Sequence, residues 1–137
     1  MTPADYASVA EAKHDAGYNC AQAVFLAFAA EIGLSEAQAA QFMQGFGGGM
    51  GGLGEACGAL SGAVAAFSLL SEAVRPGDTE AKEAFYEKVK ALGEAFRESA
   101  GGTRCAELKD ADPERKKLRC CGYICAAARL TAEALGK

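Results

Sequence analysis

The chain has 137 residues, a net charge of −4 and six cysteines, and half of its residues are hydrophobic. One domain with a real core fits that length, and the acidic balance argues against nucleic acid or an anionic membrane surface as the main partner. Alanine supplies much of the apolar content while valine and isoleucine are scarce, which favours helix over sheet.

The first predicted helix runs from about Pro3 to Ala16, with proline in the first turn and Gly17 as the stop. Tyr6, Val9, Ala10 and Lys13 give it a weak stripe. Asn19 reads as an N-cap that puts Cys20 at the first position of a second helix, whose core face is Ala21, Val24, Phe25, Phe28 and Ile32, with Gly33 ending it. Ser35 to Gln38 fits a capping box for a short third helix reaching about Gln44.

Gly45 to Gly62 then holds nine of the chain's 17 glycines. Glycine accepts positive φ and close approach at a cost in conformational entropy, so a site is expected where that cost is concentrated. The run from Cys57 to Leu70 is apolar nearly all round and reads as a buried central helix fed by the glycine loop. Its flanks, Glu55 and Glu72, leave it short of the roughly 20 apolar residues of a membrane span. The N-terminus has no basic region followed by an apolar one, so no secretory signal is expected and the expected location is the cytoplasm. Cysteines in that reducing setting point to metal binding or redox chemistry rather than to a disulfide scaffold.

After a turn at Arg75 to Asp78, a long amphipathic helix is expected with Ala81, Phe85, Val89, Leu92 and Phe96 inward, stopping at Gly101 and Gly102. Thr103 is a candidate cap for one short turn holding Cys105 and Leu108. Asp112-Pro113 announces a last helix or a lead-in turn to it, and that helix has an inward seam of Leu118, Cys121, Cys125, Ala128, Ala132 and Leu135. Nothing alternates with period two. The expected fold is all-α: one domain over residues 1–137, a bundle of about five or six helices.

Gly49 to Gly54 is a literal GxGxxG, rejected as a dinucleotide fingerprint because no strand precedes it. Gly54, Gly58 and Gly62 recur every fourth residue and suit close helix packing. The glycines before them, Gly47, Gly48, Gly49, Gly51 and Gly52, suggest backbone folded tightly around a bound group, with Glu55 beside it as a helix cap or proton acceptor. Cys20, Cys57 and Cys105 each follow a cap or glycine signal and so fall in the first turn of a helix. There the free N–H groups and the dipole favour an anion, which lowers a thiol's pKa and makes it a better nucleophile or metal ligand. If the three starts meet, they form a thiolate cluster, with Cys121 or Cys125 as a fourth ligand from the last helix. His14, the single histidine, reads as a solvated helix residue, and Arg115, Lys116, Lys117 and Arg119 as a solvated face.

Asn19-Cys20-Ala21-Gln22, the glycine lead into Gly54-Glu55-Ala56-Cys57-Gly58-Ala59 and Gly62, and single cysteines at 105 and near 121 together resemble the redox-active family named for its C–GCAxxG–C–C pattern. The resemblance covers about Gly17 to Leu135. It implies a small helical redox protein, a partner linked to a transporter system, and four characteristic cysteines: Cys20, Cys57, Cys105 and Cys121. Cys120 and Cys125 are additions to the pattern, and Cys125 is the substitute for the fourth position.

The expected function is electron transfer by an iron–sulfur cluster, [2Fe–2S] rather than [4Fe–4S], on four thiolates whose potential the helix ends would tune. A metal-free thiol–disulfide protein with Cys57 as the attacking thiolate and a structural zinc module held by four cysteines are the competing expectations. An apolar bundle of modest charge is also compatible with a homodimer.

Overall fold

The computed structural model describes residues 1–114, 116 and 122–137. Expectations resting on Leu118, Cys120, Cys121, Arg115, Lys117 and Arg119 lie outside the described residues. Helices are α1 (Pro3–Asp15), α2 (Cys20–Leu26), α3 (Ala29–Ile32), α4 (Glu36–Met43), α5 (Gly58–Leu69), α6 (Thr79–Ala100), α7 (Cys105–Ala111) and α8 (Tyr123–Ala134). A 3₁₀ turn at Gln44–Phe46 and a second short turn at Gly47–Met50 lie between α4 and α5. The all-α expectation holds, with more helical pieces than the five or six expected.

Much of the surplus comes from tight spots that periodicity does not see. The helix expected from Cys20 to Ile32 is two pieces. The N–H groups of Ala27 and Phe28 bond the carbonyls of Val24 and Phe25, three residues back, at 3.2 and 3.0 Å, a 3₁₀ tightening that ends α2. Phe28 is fully buried there and stacks on Tyr6 with ring centroids 4.6 Å apart. The Tyr6 hydroxyl donates to Glu31 on α3.

The helix buried on every side is α2, not the Cys57–Leu70 run. Cys20, Ala21, Ala23, Val24, Phe25 and Leu26 are all buried, and α2 touches α1, α4, α5 and α8. Helix α5 instead buries one face, Gly58, Ala59, Gly62, Ala63, Ala66 and Phe67, and leaves Leu69 exposed. Packing selects this face by size: its glycines and alanines let α5 lie against α2 at close range, while the larger Leu60 and Val64 stay half-buried.

The outer helices follow their patterns. Thr2, Asn19 and Ser35 each close a capping box with the residue three positions on, and Asp78 caps α6. The inward face of α6 is as expected: Leu92 and Phe96 are buried, Ala81, Phe85 and Val89 half-buried, and Phe85 stacks on Phe67 at 5.8 Å. Helix α8 buries Cys125, Ala128 and Ala132 and lies against α1, α5 and α6. Among the described residues there is no strand, and no helix is long and apolar enough to cross a membrane.

Candidate thiol centre

Cys20 is placed by its helix cap. The Asn19 side chain accepts from the Gln22 N–H at 2.9 Å and Gln22 Oε1 accepts from the Asn19 N–H at 3.0 Å, fixing Cys20 as the first residue of α2. The same two side chains reach outward. Asn19 Nδ2 donates to the Gln44 carbonyl at 3.2 Å and Gln22 Nε2 to the Ala40 carbonyl at 2.8 Å. The start of α2 is thereby tied to the entrance of the glycine segment.

That segment turns through a run of left-handed residues. Gly48 (φ 67), Gly49 (φ 72), Gly51 (φ 61), Gly52 (φ 88) and Gly54 (φ 74) all have positive φ, and Met50 (φ 76) is the one non-glycine among the described residues to share it. The chain then folds back on itself, with the Gly54 and Glu55 N–H groups donating to the carbonyls of Gly48 and Gly49 at 3.1 and 3.0 Å. A side-chain carbon at Gly49 would stand 2.6 Å from the Glu55 nitrogen and 2.7 Å from Cys105 Cβ. One at Gly47 would stand 2.6 Å from Asn19 Cγ. The close approach expected of these glycines is thus made by the protein's own Asn19, Cys105 and Glu55. Gly51 and Gly52 are exposed and serve the turn.

Cys57 and Cys105 are held by a backbone clasp that no sequence pattern announced. Ala56 and Arg104 form an isolated antiparallel bridge. Around it the Cys57 N–H donates to the Thr103 carbonyl at 2.7 Å, and the Cys105 and Ala106 N–H groups donate to Glu55 and Gly54 carbonyls at 2.6 and 3.1 Å. Cys57 becomes the N-cap of α5 and Cys105 the first residue of α7. Thr103, expected as a cap, contributes its carbonyl instead, and Arg104 holds the cap position. Glu55, expected as a cap or proton acceptor, is exposed and faces Arg104 Nε at 3.9 Å.

The cap and the clasp set three sequence-distant thiols in one buried neighbourhood, with Cys20 and Cys105 within electrostatic reach of Cys57 but the three not grouped as a ready metal site. Cys20, Cys57 and Cys105 are buried, with exposures of 9%, 4% and 4%, and Cys57 feels both of the others. The charge balance differs from the expectation that each helix start lowers its thiol's pKa. Burial first, then Cys20, and to a smaller extent Cys105, push Cys57 up to about 11, against the favourable pull of the Ala59 and Leu60 N–H groups. Desolvation of a lone thiolate outweighs one helix turn. As it stands Cys57 keeps its proton at neutral pH and is a poor nucleophile.

Cys121 lies outside the described residues. The sulfur of Cys125, its expected substitute, turns onto α1, 3.7 Å from the Ala7 carbonyl oxygen and 4.0 Å from Glu11 Oε2. Among the described residues no three His, Cys, Asp or Glu side chains stand together as a ready metal site. His14 is half-buried, with Nδ1 3.1 Å from the Tyr18 carbonyl. Of the basic run only Lys116 is described, paired with Glu114 at 2.9 Å.

A family model described as "Putative redox-active protein (C_GCAxxG_C_C)" matches residues 18–134. No curated protein and no solved structure gives a match.

Proposed function

The chain belongs to the C_GCAxxG_C_C redox-active family, and from that premise we propose that its redox centre is the Cys20, Cys57 and Cys105 thiol group, completed by Cys121 into a four-thiolate ligand set for an iron–sulfur cluster. The supporting observation is that three cysteines from distant parts of the chain are all buried, with Cys20 and Cys105 both within electrostatic reach of Cys57. Cysteines kept only as small core residues need not gather, nor stand at helix starts. The donor chemistry fits the group, since soft thiolates are the ligands of such clusters. The same neighbours that hold a proton on Cys57 become assets once a cation sits among them: each thiolate then meets positive charge, and the Ala59 and Leu60 N–H groups add to its stabilisation. A bound cluster would supply one-electron transfer. The protein's part is to exclude water, orient the sulfurs and set the potential through those N–H groups, and the reading calls for an electron-carrying partner.

A second reading has its own support, in Cys20 being the larger of the two thiol influences on Cys57. In a metal-free centre Cys57 and Cys20 would lose two protons and two electrons together to form a disulfide, while a partner disulfide is reduced to two thiols. Cys57, with its raised pKa, is then not the thiolate that opens the exchange, and is the sulfur attacked when the Cys57–Cys20 disulfide is reduced by an incoming thiolate.

Anaerobic purification separates the readings. The cluster predicts visible absorbance with iron and acid-labile sulfide in matching amounts, lost in Cys57→Ser. Zinc alone would make the centre structural and refute both redox readings. Absence of metal, with reversible loss of two titratable thiols on oxidation, would favour the dithiol.

A further inference from the structure

Gly58 opens α5 with ordinary helical backbone, so its conformation does not call for glycine. Alanine is the better helix former. Space is what excludes a side chain: a carbon added at Gly58 would stand 2.5 Å from Cys20 Sγ, 3.0 Å from the Phe46 carbonyl oxygen and 3.3 Å from the Ala21 nitrogen. Cys20 has little freedom to yield, because the Asn19–Gln22 capping box fixes its backbone and the core surrounds it. One turn further on, a carbon at Gly62 would stand 2.5 Å from the Ala21 carbonyl oxygen and 3.2 Å from Val24 Cβ. Both glycines thus seat the same first turn of α2. Gly93, inside α6, has nothing within 4 Å, so a helical glycine in this chain does not by itself mark a crowded position.

We infer that Gly58 is a positioning residue of the thiol centre: the space left by its missing side chain is the seat of the Cys20 sulfur, and this seat holds that sulfur beside Cys57. The functional meaning rests on the redox reading above; the seat itself does not.

The test is a cycle of full-length chains: wild type, Gly58→Ala, Cys20→Ala and the double variant, with Gly93→Ala as control. Urea midpoints are measured on reduced, chelator-treated protein. Gly58→Ala should lower the midpoint clearly more when Cys20 is present than when residue 20 is alanine, because the new methyl then takes the sulfur's place and only the Phe46 and Ala21 backbone contacts remain tight. An equal loss in both backgrounds would overturn the seat, and the double variant keeps this decisive if Gly58→Ala alone fails to fold. Two further readouts separate the seat from general destabilisation, which would raise the labelling of the buried Cys125 as much as that of Cys20. Labelling of Cys20 by iodoacetamide, measured under native conditions and mapped by mass spectrometry, should rise at least tenfold in Gly58→Ala. The oxidation–reduction equilibrium constant of the centre should shift at least tenfold as well. Gly93→Ala should match wild type in both. Unchanged labelling and an unchanged constant in a folded Gly58→Ala would overturn the positioning role. A wild-type chain without any reversible redox change would sink the redox reading, while the stability cycle still decides the seat.

Discussion

Raising the pH of the reduced, metal-free chain from about 8 to about 11 will weaken the fold through Cys57. An unfolded thiol ionises at its ordinary value of 9.0, whereas burial and the neighbouring Cys20 and Cys105 hold the folded thiol's pKa up to about 11. Below the unfolded value both states keep the proton and the stabilisation is fully present. Above it the unfolded chain gains free energy by ionising while the folded chain does not, and the loss is complete once pH passes the folded value. Two pKa units at about 1.4 kcal/mol each amount to ~3 kcal/mol, a large share of a small domain's stability. Urea unfolding of wild type and Cys57→Ala at each pH isolates the term, because lysine and tyrosine titrations cancel in the difference. Cys20→Ala, which removes the larger of the two neighbouring influences, should narrow the window from the top. A wild-type-minus-variant difference that stays flat across this range would refute the claim that burial and the neighbouring thiols hold the proton on Cys57.

Other outcomes follow from single contacts. Asn19→Ala removes both the α2 cap and the bond to the Gln44 carbonyl, and should cost about 1–2 kcal/mol in chemical denaturation. Gly49→Ala meets both a positive φ and the Glu55 nitrogen at 2.6 Å; it should destabilise by more than a typical loop substitution and release Cys105 for labelling in native buffer. Phe25→Ala, at a fully buried position of α2, should cost about 3–5 kcal/mol by thermal or urea unfolding. At acid pH, Glu36 loses its bonds from Lys13 and Tyr18, which hold its carboxyl below the usual 4.5. That contribution is present above 4.5 and disappears as pH falls through the depressed value, so Lys13→Met should flatten the acid limb of the stability curve.

The local signals were legible in the chain itself. The Asn19 cap, the Ser35–Gln38 box and the turn ending at Asp78 are short-range chemistry, and they put Cys20 and α6 where the sequence said they would be. Cys20 was legible for the same reason, since its cap fixes it without any distant contact, whereas Cys57 and Cys105 reach their helix starts through the clasp between Glu55–Cys57 and Thr103–Cys105. What the sequence could not supply was the pairing of two backbone segments at Ala56 and Arg104, because their bridge depends on main-chain groups that every residue carries. Nor could it rank the helices by burial: α2 became the core because small faces of several other helices close on it, a fact of packing rather than of its own pattern. The sign of the Cys57 shift was decided in the same way. The sequence put that thiol at a favourable helix end, and only the folded chain added the burial and the two neighbouring sulfurs that outweigh it.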